Sequence, residues 1–321
     1  MTDAQPVRTL VVDAVRPEAE GVVSLTLSAP DRSPLGAWEP GAHLQFTLAS
    51  GLIRHYSLCG DADDERTYTV AVLREPAGRG GSAELHDTVT VRSELQVRGP
   101  RNNFHLVDAE RYLFIAGGIG ITPIVAMVRN AQRRGADWRL LYGGRTRASM
   151  AFADELVALD PDRVELVPQD ECGFPDLAGA LAFCDPDTPV YCCGPEGMLA
   201  AVEAATQAHA HDVTLHIERF VSSDQTPAPE PGATGFEVEL AASGIVIAVP
   251  PDRSILDCVL DVLPDAAFSC MEGHCGTCEV AVLEGVPEHH DEVLSDDERD
   301  ANTAMMICVG RSKTPRLVID L

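Results

Sequence analysis

The chain has 321 residues, 45% hydrophobic and 23% charged, with 50 acidic against 24 basic side chains and a net charge of -26. That length implies two or three globular domains, and so acidic a balance excludes a nucleic-acid footprint and a polybasic membrane patch. The opening MTDAQPVRTLVVD has neither a basic nor an apolar export region, so the cytoplasm is the default location, where ten cysteines argue against a disulfide framework.

Up to about Asn103 the chain reads as short β-rich runs, TLVVDAV, VVSLTLSA, HLQFTL, IRHYSL and TYTVAVL, divided by Gly, Pro and Asp. That spacing predicts an antiparallel barrel or sandwich. One of these strands carries Arg54-His55-Tyr56-Ser57-Leu58. An arginine for phosphate, an aromatic for a flat ring and a hydroxyl for ring heteroatoms make a flavin wall, although an Arg and a Tyr on the outer barrel face would read the same way. Gly78-Arg79-Gly80-Gly81-Ser82 then precedes a short helical stretch. Three glycines, a cation and Ser82 as N-cap suit a phosphate cradle, and they equally suit a flexible hairpin loop.

From Arg111, apolar strands (YLFIA, WRLLYGG, RVELVP, PVYCCG) alternate with helical stretches at 122–134 and 196–209, which predicts a parallel sheet with crossover helices. Tyr112 to Val128 is uncharged but slightly too short for a membrane span, and it is broken by glycines and Pro123. Gly117, Gly118 and Gly120 separate strand from helix, with Thr122 expected as the N-cap and Pro123 as the first helical residue. Glycines at a helix N-terminus admit a pyrophosphate or ribose, but this is not the G-x-G-x-x-G fingerprint, and a plain tight turn looks similar. A second strand end, Cys193-Gly194-Pro195, points to the same crevice. Cys193 then either faces a nicotinamide or is an ordinary buried strand cysteine.

Ser222 to Gly235, with three prolines and two glycines, is a linker by composition. Beyond it, FEVELAASGIVIAV predicts a hairpin about Ser243-Gly244, followed by a helix near Ser254 to Leu263 and strands around EVAVLEG and RLVIDL. This small α+β segment is the most acidic part, with 17 acidic against 5 basic residues from Gly235 to Leu321. Its cysteines are spaced Cys270-x4-Cys275-x2-Cys278, with Cys308 later. A disulfide pair, a zinc ion and an iron-sulfur cluster are the candidates, and this spacing is that of plant-type 2Fe-2S proteins. Gly273 and Gly276 permit the tight turns such a loop needs. Zinc sites usually present two close pairs, and a Rieske centre needs two histidines, so His274 reads as a loop residue. Cys59, Cys172, Cys184, Cys192 and Cys258 show no ligand spacing and are expected to be packing residues.

Arg54-x-Tyr56-Ser57-Leu58, GRGGS at 78–82, GPRNNF at 99–104, GGIGITP at 117–123, YCCGP at 191–195, Glu218-x-Phe220 and the four cysteines together resemble one family. It is the phthalate dioxygenase reductase type of the ferredoxin-NADP reductase superfamily, and the resemblance covers essentially the whole chain. It implies a multidomain fold: an antiparallel flavin β-barrel at 1–104, an α/β parallel-sheet nucleotide domain at 105–222, a linker at 223–235, and an α+β, β-grasp-like ferredoxin domain at 236–321. FMN is implied between Arg54, His55, Tyr56, Ser57 and the loop Gly78, Arg79, Gly80, Gly81 and Ser82, because GRGGS replaces the loop that accommodates FAD in relatives. A nicotinamide nucleotide is implied at Gly117, Gly118, Gly120, Thr122, Cys193, Gly194, Pro195 and Phe220, with Ser57 and Cys193 at the point of hydride transfer. Cys270, Cys275, Cys278 and Cys308 are implied to hold a 2Fe-2S cluster.

One loop departs from the family pattern. Where an acidic residue often repels a 2'-phosphate, Gly144 to Ser149 offers Arg145 and Arg147, which would accept NADPH or grip pyrophosphate; NADH remains the expected donor. The implied activity is an oxidoreductase carrying electrons from NADH through FMN and the cluster to a terminal oxygenase, foremost a Rieske non-haem iron aromatic dioxygenase or O-demethylase. A haem-thiolate monooxygenase is the alternative acceptor; a non-catalytic redox carrier or sensor, or a zinc-stabilised module, are the other classes. The acidic ferredoxin end suits transient docking on a basic partner, and a self-contained chain of this kind is expected to be a monomer.

Overall fold

The computed structural model describes residues 7–76, 80–209, 213–220, 235–251, 253–263, 266–268, 273, 276–291 and 293–321. They divide into two compact units, one ending at Phe220 and one running from Val221 to Leu321. The linker expected at 223–235 lies outside the described residues except for Gly235.

The first unit opens with strands β1 (Arg8–Ala19), β2 (Val22–Ser28), β3 (Ala42–Thr47), β4 (Ile53–Ser57), β5 (Thr67–Leu73) and β6 (Glu94–Asn102), with helix α1 (Gly81–Thr88) between the last two. They form an antiparallel sheet in the order β4-β3-β6-β1-β2-β5. A bridge between Leu58 and Val70 joins its two edges, so the sheet closes into the expected barrel. Alternation along the strands turns Leu10, Val12, Leu25, Leu27, Leu44, Phe46, Val70, Val72 and Val97 into the barrel, each at most 1% exposed. Each contributes about 1.5–3 kcal/mol through burial.

The parallel sheet follows: β7 (Arg111–Gly117), β8 (Asp137–Gly144), β9 (Val164–Pro168), β10 (Pro189–Gly194) and β11 (Thr214–Arg219), in the order β11-β10-β7-β8-β9. Its helices are α2 (Ile121–Arg133), α3 (Ala153–Leu159), α4 (Gln169–Cys172), α5 (Leu177–Leu181) and α6 (Glu196–Gln207). The strand order reverses between β7 and β10, and both glycine turns found in the sequence lie at the ends of these two strands. In such sheets the crevice at the switch point takes the ligand.

The first eight residues of helix α2 are all buried, because it has two neighbours. Ile124, Val125 and Val128 pack in one cluster with Phe114 and Leu140 of the sheet and with Val22, Cys59 and Ala71 of the barrel. Arg129 closes the join: Nη1 donates to the carbonyls of Cys59 at 2.5 Å and Gly60 at 2.9 Å, while Nε donates to Glu155 at 2.7 Å. One turn on, Arg133 pairs with Asp61 at 2.6 Å. The connector between barrel and sheet is fastened by two tyrosines. The Tyr191 hydroxyl donates to His105 O and accepts from Val107 N, and the Tyr112 hydroxyl donates to Val107 O and accepts from Ala109 N, all at 2.8 Å.

The second unit contains β12 (Phe236–Leu240), β13 (Ile245–Val249), α7 (Ile255–Val262), β14 (Glu279–Glu284), β15 (Pro287–Glu288), α8 (Asp296–Ala301), β16 (Ala304–Met306), β17 (Arg311–Ser312) and β18 (Arg316–Ile319). Strands β12 and β13 form the predicted hairpin, with Gly244 at φ 69° in its turn. The mixed sheet runs β13-β12-β18-β14-β16, with β12 and β18 parallel, under the capped helix α7. Among the described residues, no helix is long and apolar enough to cross a membrane.

Because Tyr191 bonds one donor and one acceptor of the connector, Tyr191→Phe should cost unit one about 0.5–1.5 kcal/mol. Urea unfolding of the variant measures this; a midpoint equal to wild type would show that the connector is not held by this hydroxyl.

Candidate functional site

Strand alternation splits the residues expected to form one flavin wall. Arg54 and Tyr56 point to one side of β4, and His55 and Ser57 to the other. Arg54 lies across the first turn of α1, where a Cβ on Gly81 would run into its guanidinium. Tyr56 packs edge-on to Phe46, with ring centroids 5.5 Å apart, and burial pushes its hydroxyl up to about 12. His55 lies beside His43 on the opposite face, with ring centroids 5.3 Å apart. The N-cap of α1 is Gly80, at φ 87°, and not Ser82. Ser82 sits inside the helix with its hydroxyl accepting from Glu75 N at 3.0 Å, so it anchors the entry of the loop and caps nothing. Gly78 and Arg79 lie outside the described residues.

A similar correction applies to Thr122. The N-cap of α2 is Gly120; Thr122 is buried inside the first turn, donating to Ile119 O at 3.1 Å. Tertiary contact overrides capping preference here, because a Cβ on Gly120 would collide with the Cys193 carbonyl. The two strand-end turns interlock without side chains. A Cβ on Gly117 would stand 2.6 Å from Pro195 Cδ, and one on Gly194 would stand 3.1 Å from Gly117 Cα. Pro195 is the N-cap of α6, and Met198 lies over the tips of β7, β8 and β10 beside Gly117, Gly143 and Gly194. Gly118 stands at φ 55° with open space where a side chain would be.

Cys193 is fully buried at the end of β10, and desolvation, reinforced by Glu218, holds its thiol well above its ordinary range. It is therefore a neutral spacer at this point and no thiolate nucleophile. Glu218 is its register partner on β11. Part of that residue reaches the surface, but its carboxyl Oε2 is enclosed and accepts no hydrogen bond. Burial raises the carboxyl to about 8, with the Ser57 hydroxyl pulling weakly the other way. Ser57 of the barrel thus faces Glu218 of the sheet, the register partner of Cys193. The sequence reading placed Glu218 only in a motif; its role depends on a strand register that no local signal encodes. Phe220, two residues on, is 39% exposed.

The arginine loop also acquires neighbours. Arg147 lies 3.8 Å from Asp154, and the Arg145 carbonyl accepts from Asp170 N at 3.2 Å, which sets the acidic first turn of α4, Asp170 and Glu171, beside the loop. Of the cysteines expected to pack, Cys59, Cys184, Cys192 and Cys258 are buried, whereas Cys172 is exposed at the end of α4.

In the second unit, Cys278 and Cys308 are buried in one core cluster, and Ile307 N donates to Cys278 O at 3.3 Å, so neighbouring strand ends carry the two residues. Gly273 and Gly276 take φ of 78° and 73°, backbone that favours glycine. A Cβ on Gly273 would stand 2.7 Å from Val309 Cγ2, next to Cys308. Cys270, Cys275 and His274 lie outside the described residues. Two buried thiols and this glycine turn fit an all-thiolate cluster, the chemistry that soft sulfur donors select.

Since Gly120 abuts backbone, Gly120→Ala should lose about 1–3 kcal/mol by overpacking. Gly197→Ala, on a helix with nothing within 4 Å, should lose none. Parallel denaturant titrations compare them, and equal midpoints would refute the close approach of α2 to β10.

Family comparisons agree with this division of labour. The 2Fe-2S iron-sulfur cluster binding domain matches residues 238–313, and the oxidoreductase NAD-binding domain matches residues 114–204. The phenoxybenzoate dioxygenase subunit beta of Ectopseudomonas oleovorans is 42% identical over 316 residues, covering 98% of this chain and 97% of that protein. A solved phthalate dioxygenase reductase, described as a modular structure for electron transfer from pyridine nucleotides to [2Fe-2S], is 34% identical with a TM-score of 0.81, covering 98% of both chains. An intact type IV self-sufficient cytochrome P450 monooxygenase is 40% identical with a TM-score of 0.76; the match takes in 98% of this chain but 41% of that one. Similarity of this degree along the whole length makes the chain a member of the phthalate dioxygenase reductase-type oxidoreductases.

Proposed function

We propose that this protein is the reductase component of an oxygenase system, taking electrons from NADH and delivering them to a terminal oxygenase of the Rieske non-haem iron type. The observation that supports it best is that barrel Ser57 faces sheet Glu218, the register partner of Cys193 at the end of β10. When bound, FMN supplies the conversion between a two-electron hydride donor and a one-electron cluster. On this reading the chain divides into a barrel at 1–104, a nucleotide domain at 105–222, a linker at 223–235 and a ferredoxin domain at 236–321.

Each group in the unit has a task in this scheme. Arg54, with the amides of Gly80 and Gly81 at the start of α1, binds a single phosphate, which suits FMN. Tyr56 and Ser57 orient the flavin ring from the barrel, together with His55 and Phe220. Gly117, Gly118, Gly120, Thr122, Gly194 and Pro195 let the nucleotide approach bare backbone, and Cys193 floors the nicotinamide subsite. Arg145 and Arg147 grip pyrophosphate, while Asp170 and Glu171 disfavour an added 2'-phosphate, which supports NADH over NADPH. Cys270, Cys275, Cys278 and Cys308 hold the cluster. The acidic second unit docks transiently on the oxygenase, and the reductase acts as a monomer.

A haem-thiolate acceptor is the second reading, favoured by the 40% identity with part of a self-sufficient cytochrome P450 chain. Anaerobic visible spectra test the common core: NADH should bleach both flavin and cluster bands, NADPH should act much more slowly, and heat should release FMN. Absorption that neither nucleotide bleaches would overturn the electron-entry assignment. Electron delivery to purified Rieske and haem-thiolate acceptors then separates the two readings.

Glu218 yields a separate expectation. With its carboxyl raised from 4.5 to about 8, the folded protein holds a proton there that the unfolded chain releases. The native state binds more protons across that window, so stability falls as pH rises through it and levels off above it. Glu218→Gln should abolish this fall, making the variant more stable than wild type at pH 8 but not at pH 4.5. It should also remove an inflection near pH 8 from the rate of flavin reduction by NADH. Wild-type and variant profiles that run parallel would rule out a buried proton on this residue.

A further inference from the structure

The segment between α4 and α5 leaves one aromatic ring in the open. Phe174 is 84% exposed, against 54% for Leu283, the next most open large apolar side chain among the described residues. The backbone is fastened on both sides of that ring. Before it, Asp170 N donates to Arg145 O at 3.2 Å and Gly173 N to Gln169 O at 3.0 Å. After it, Leu177 N donates to Pro175 O at 3.1 Å, and Asp176 Oδ1 accepts from Gly179 N at 3.0 Å as the N-cap of α5. Leu177 then packs against the core cluster that holds Leu141 of β8 and Leu199 of α6. Gly173 makes the reversal at φ 76° and ψ -146°, a conformation that glycine takes and other residues resist.

A single apolar side chain on a surface is ordinary, so exposure alone assigns nothing. The surroundings of Phe174 do. Pro175, the next residue, lies at the tip of β8, where a Cβ on Gly143 would stand 3.2 Å from Pro175 Cγ and 3.0 Å from Met198 Cε. Gly143 is the register partner of Gly117, the glycine that ends β7 in the crevice. The other end of the segment is tied to the Arg145 loop and carries Asp170 and Glu171. Within a few residues the rim of the crevice therefore offers cations, carboxylates and a flat apolar face. Pyrophosphate, ribose diol and purine base, the groups along the adenosine half of a dinucleotide, want those three surfaces.

We propose that Phe174 is the platform on which the adenine of the nicotinamide nucleotide stacks; the proposal rests on the reading that NADH is the electron donor. A ring held out by a fastened backbone is ready for a flat ligand, so little ordering is lost when one binds. Stacking on an aromatic face tolerates any base, so Phe174 supplies affinity, while discrimination against a 2'-phosphate stays with Asp170 and Glu171. Phe174 touches no reacting atom. Its contact is the same before and during hydride transfer, and such uniform binding shows in the concentration of nucleotide required and leaves the limiting rate alone.

Calorimetric binding of 5'-AMP to the purified full-length holoprotein, together with stopped-flow reduction of its flavin, tests this. Phe174→Ala should weaken AMP by about tenfold and raise the NADH concentration for half-maximal reduction by a similar factor, with the limiting rate held. Phe174→Tyr, which keeps the flat face, should bind AMP like wild type. Reduced nicotinamide mononucleotide, which lacks the adenosine, should reduce Phe174→Ala and wild type alike. AMP affinity that Phe174→Ala leaves unchanged, with NADH still bleaching the flavin, would overturn the platform alone. A loss shared by the mononucleotide would overturn it too, because the effect would then lie at the nicotinamide end or in the fold. A wild-type flavin that NADH does not bleach would defeat the donor reading itself, and the inference with it.

Discussion

Everything in the first unit depends on holding two separate sheets at one distance. Reacting atoms must come within about 3–3.5 Å for efficient transfer, and small misplacements are heavily penalised. Here one side of the reaction is presented by a β-barrel and the other by a parallel sheet. Helix α2 is the joint: it belongs to the sheet by sequence, yet its apolar surface is shared with barrel residues Val22, Cys59 and Ala71. Arg129 adds direction to this undirected packing. Its guanidinium bonds two consecutive barrel carbonyls while Glu155 balances its charge, so the helix can neither slide nor rotate freely. The glycines are consequences of the same constraint. Gly120 brings the start of α2 against Cys193, and Gly117 lets β7 and β10 end in contact, so one rigid corner carries both turns.

Much of this was legible in the sequence because the relevant signals are local. Alternating apolar residues marked the barrel strands, glycines after apolar runs marked the crevice, and the cysteine spacing marked the cluster loop. Even the separation of Tyr56 from Ser57 follows from the two-residue period of a strand. The misread caps have one cause. Ser82 and Thr122 are good cap residues by preference, worth about 1 kcal/mol, but the Arg54 side chain against Gly81 and the close backbone approach at Gly120 decide where each helix starts. Glu218, Tyr191 and the acids of α4 gave no usable signal for a different reason. Their importance lies in which strand stands next to which, and strand order is a long-range property of the chain.

The electrostatics of the two units differ in kind. In the first, arginines stand against α1, on α2 where Arg129 joins sheet to barrel, and in the loop after β8. In the second, four of the five basic residues are spent internally. Arg253 pairs with Asp261 and Arg316 with Glu239, Arg299 bonds the Asp291 carbonyl, and Arg311 bonds the carbonyls of Pro250 and Arg253. They stabilise the fold and leave much of the acidic field turned outward. A surface of that kind favours fast, salt-sensitive encounters over tight complexes.

Charge is managed in the opposite way at the switch point. Cys193 is kept a thiol by burial and Glu218 is kept a carboxylic acid near neutral pH, so the place where Ser57 meets the sheet carries no formal charge from these groups. An ionised carboxylate there would bind the oxidised nicotinamide ring, which is cationic, more tightly than the reduced one. On the function proposed above, a neutral floor would avoid that bias and let spent nucleotide leave. On that proposal, ionisation of the same residue above about pH 8 would turn a release site into a trap, so the burial that costs stability at high pH would also keep turnover open below it.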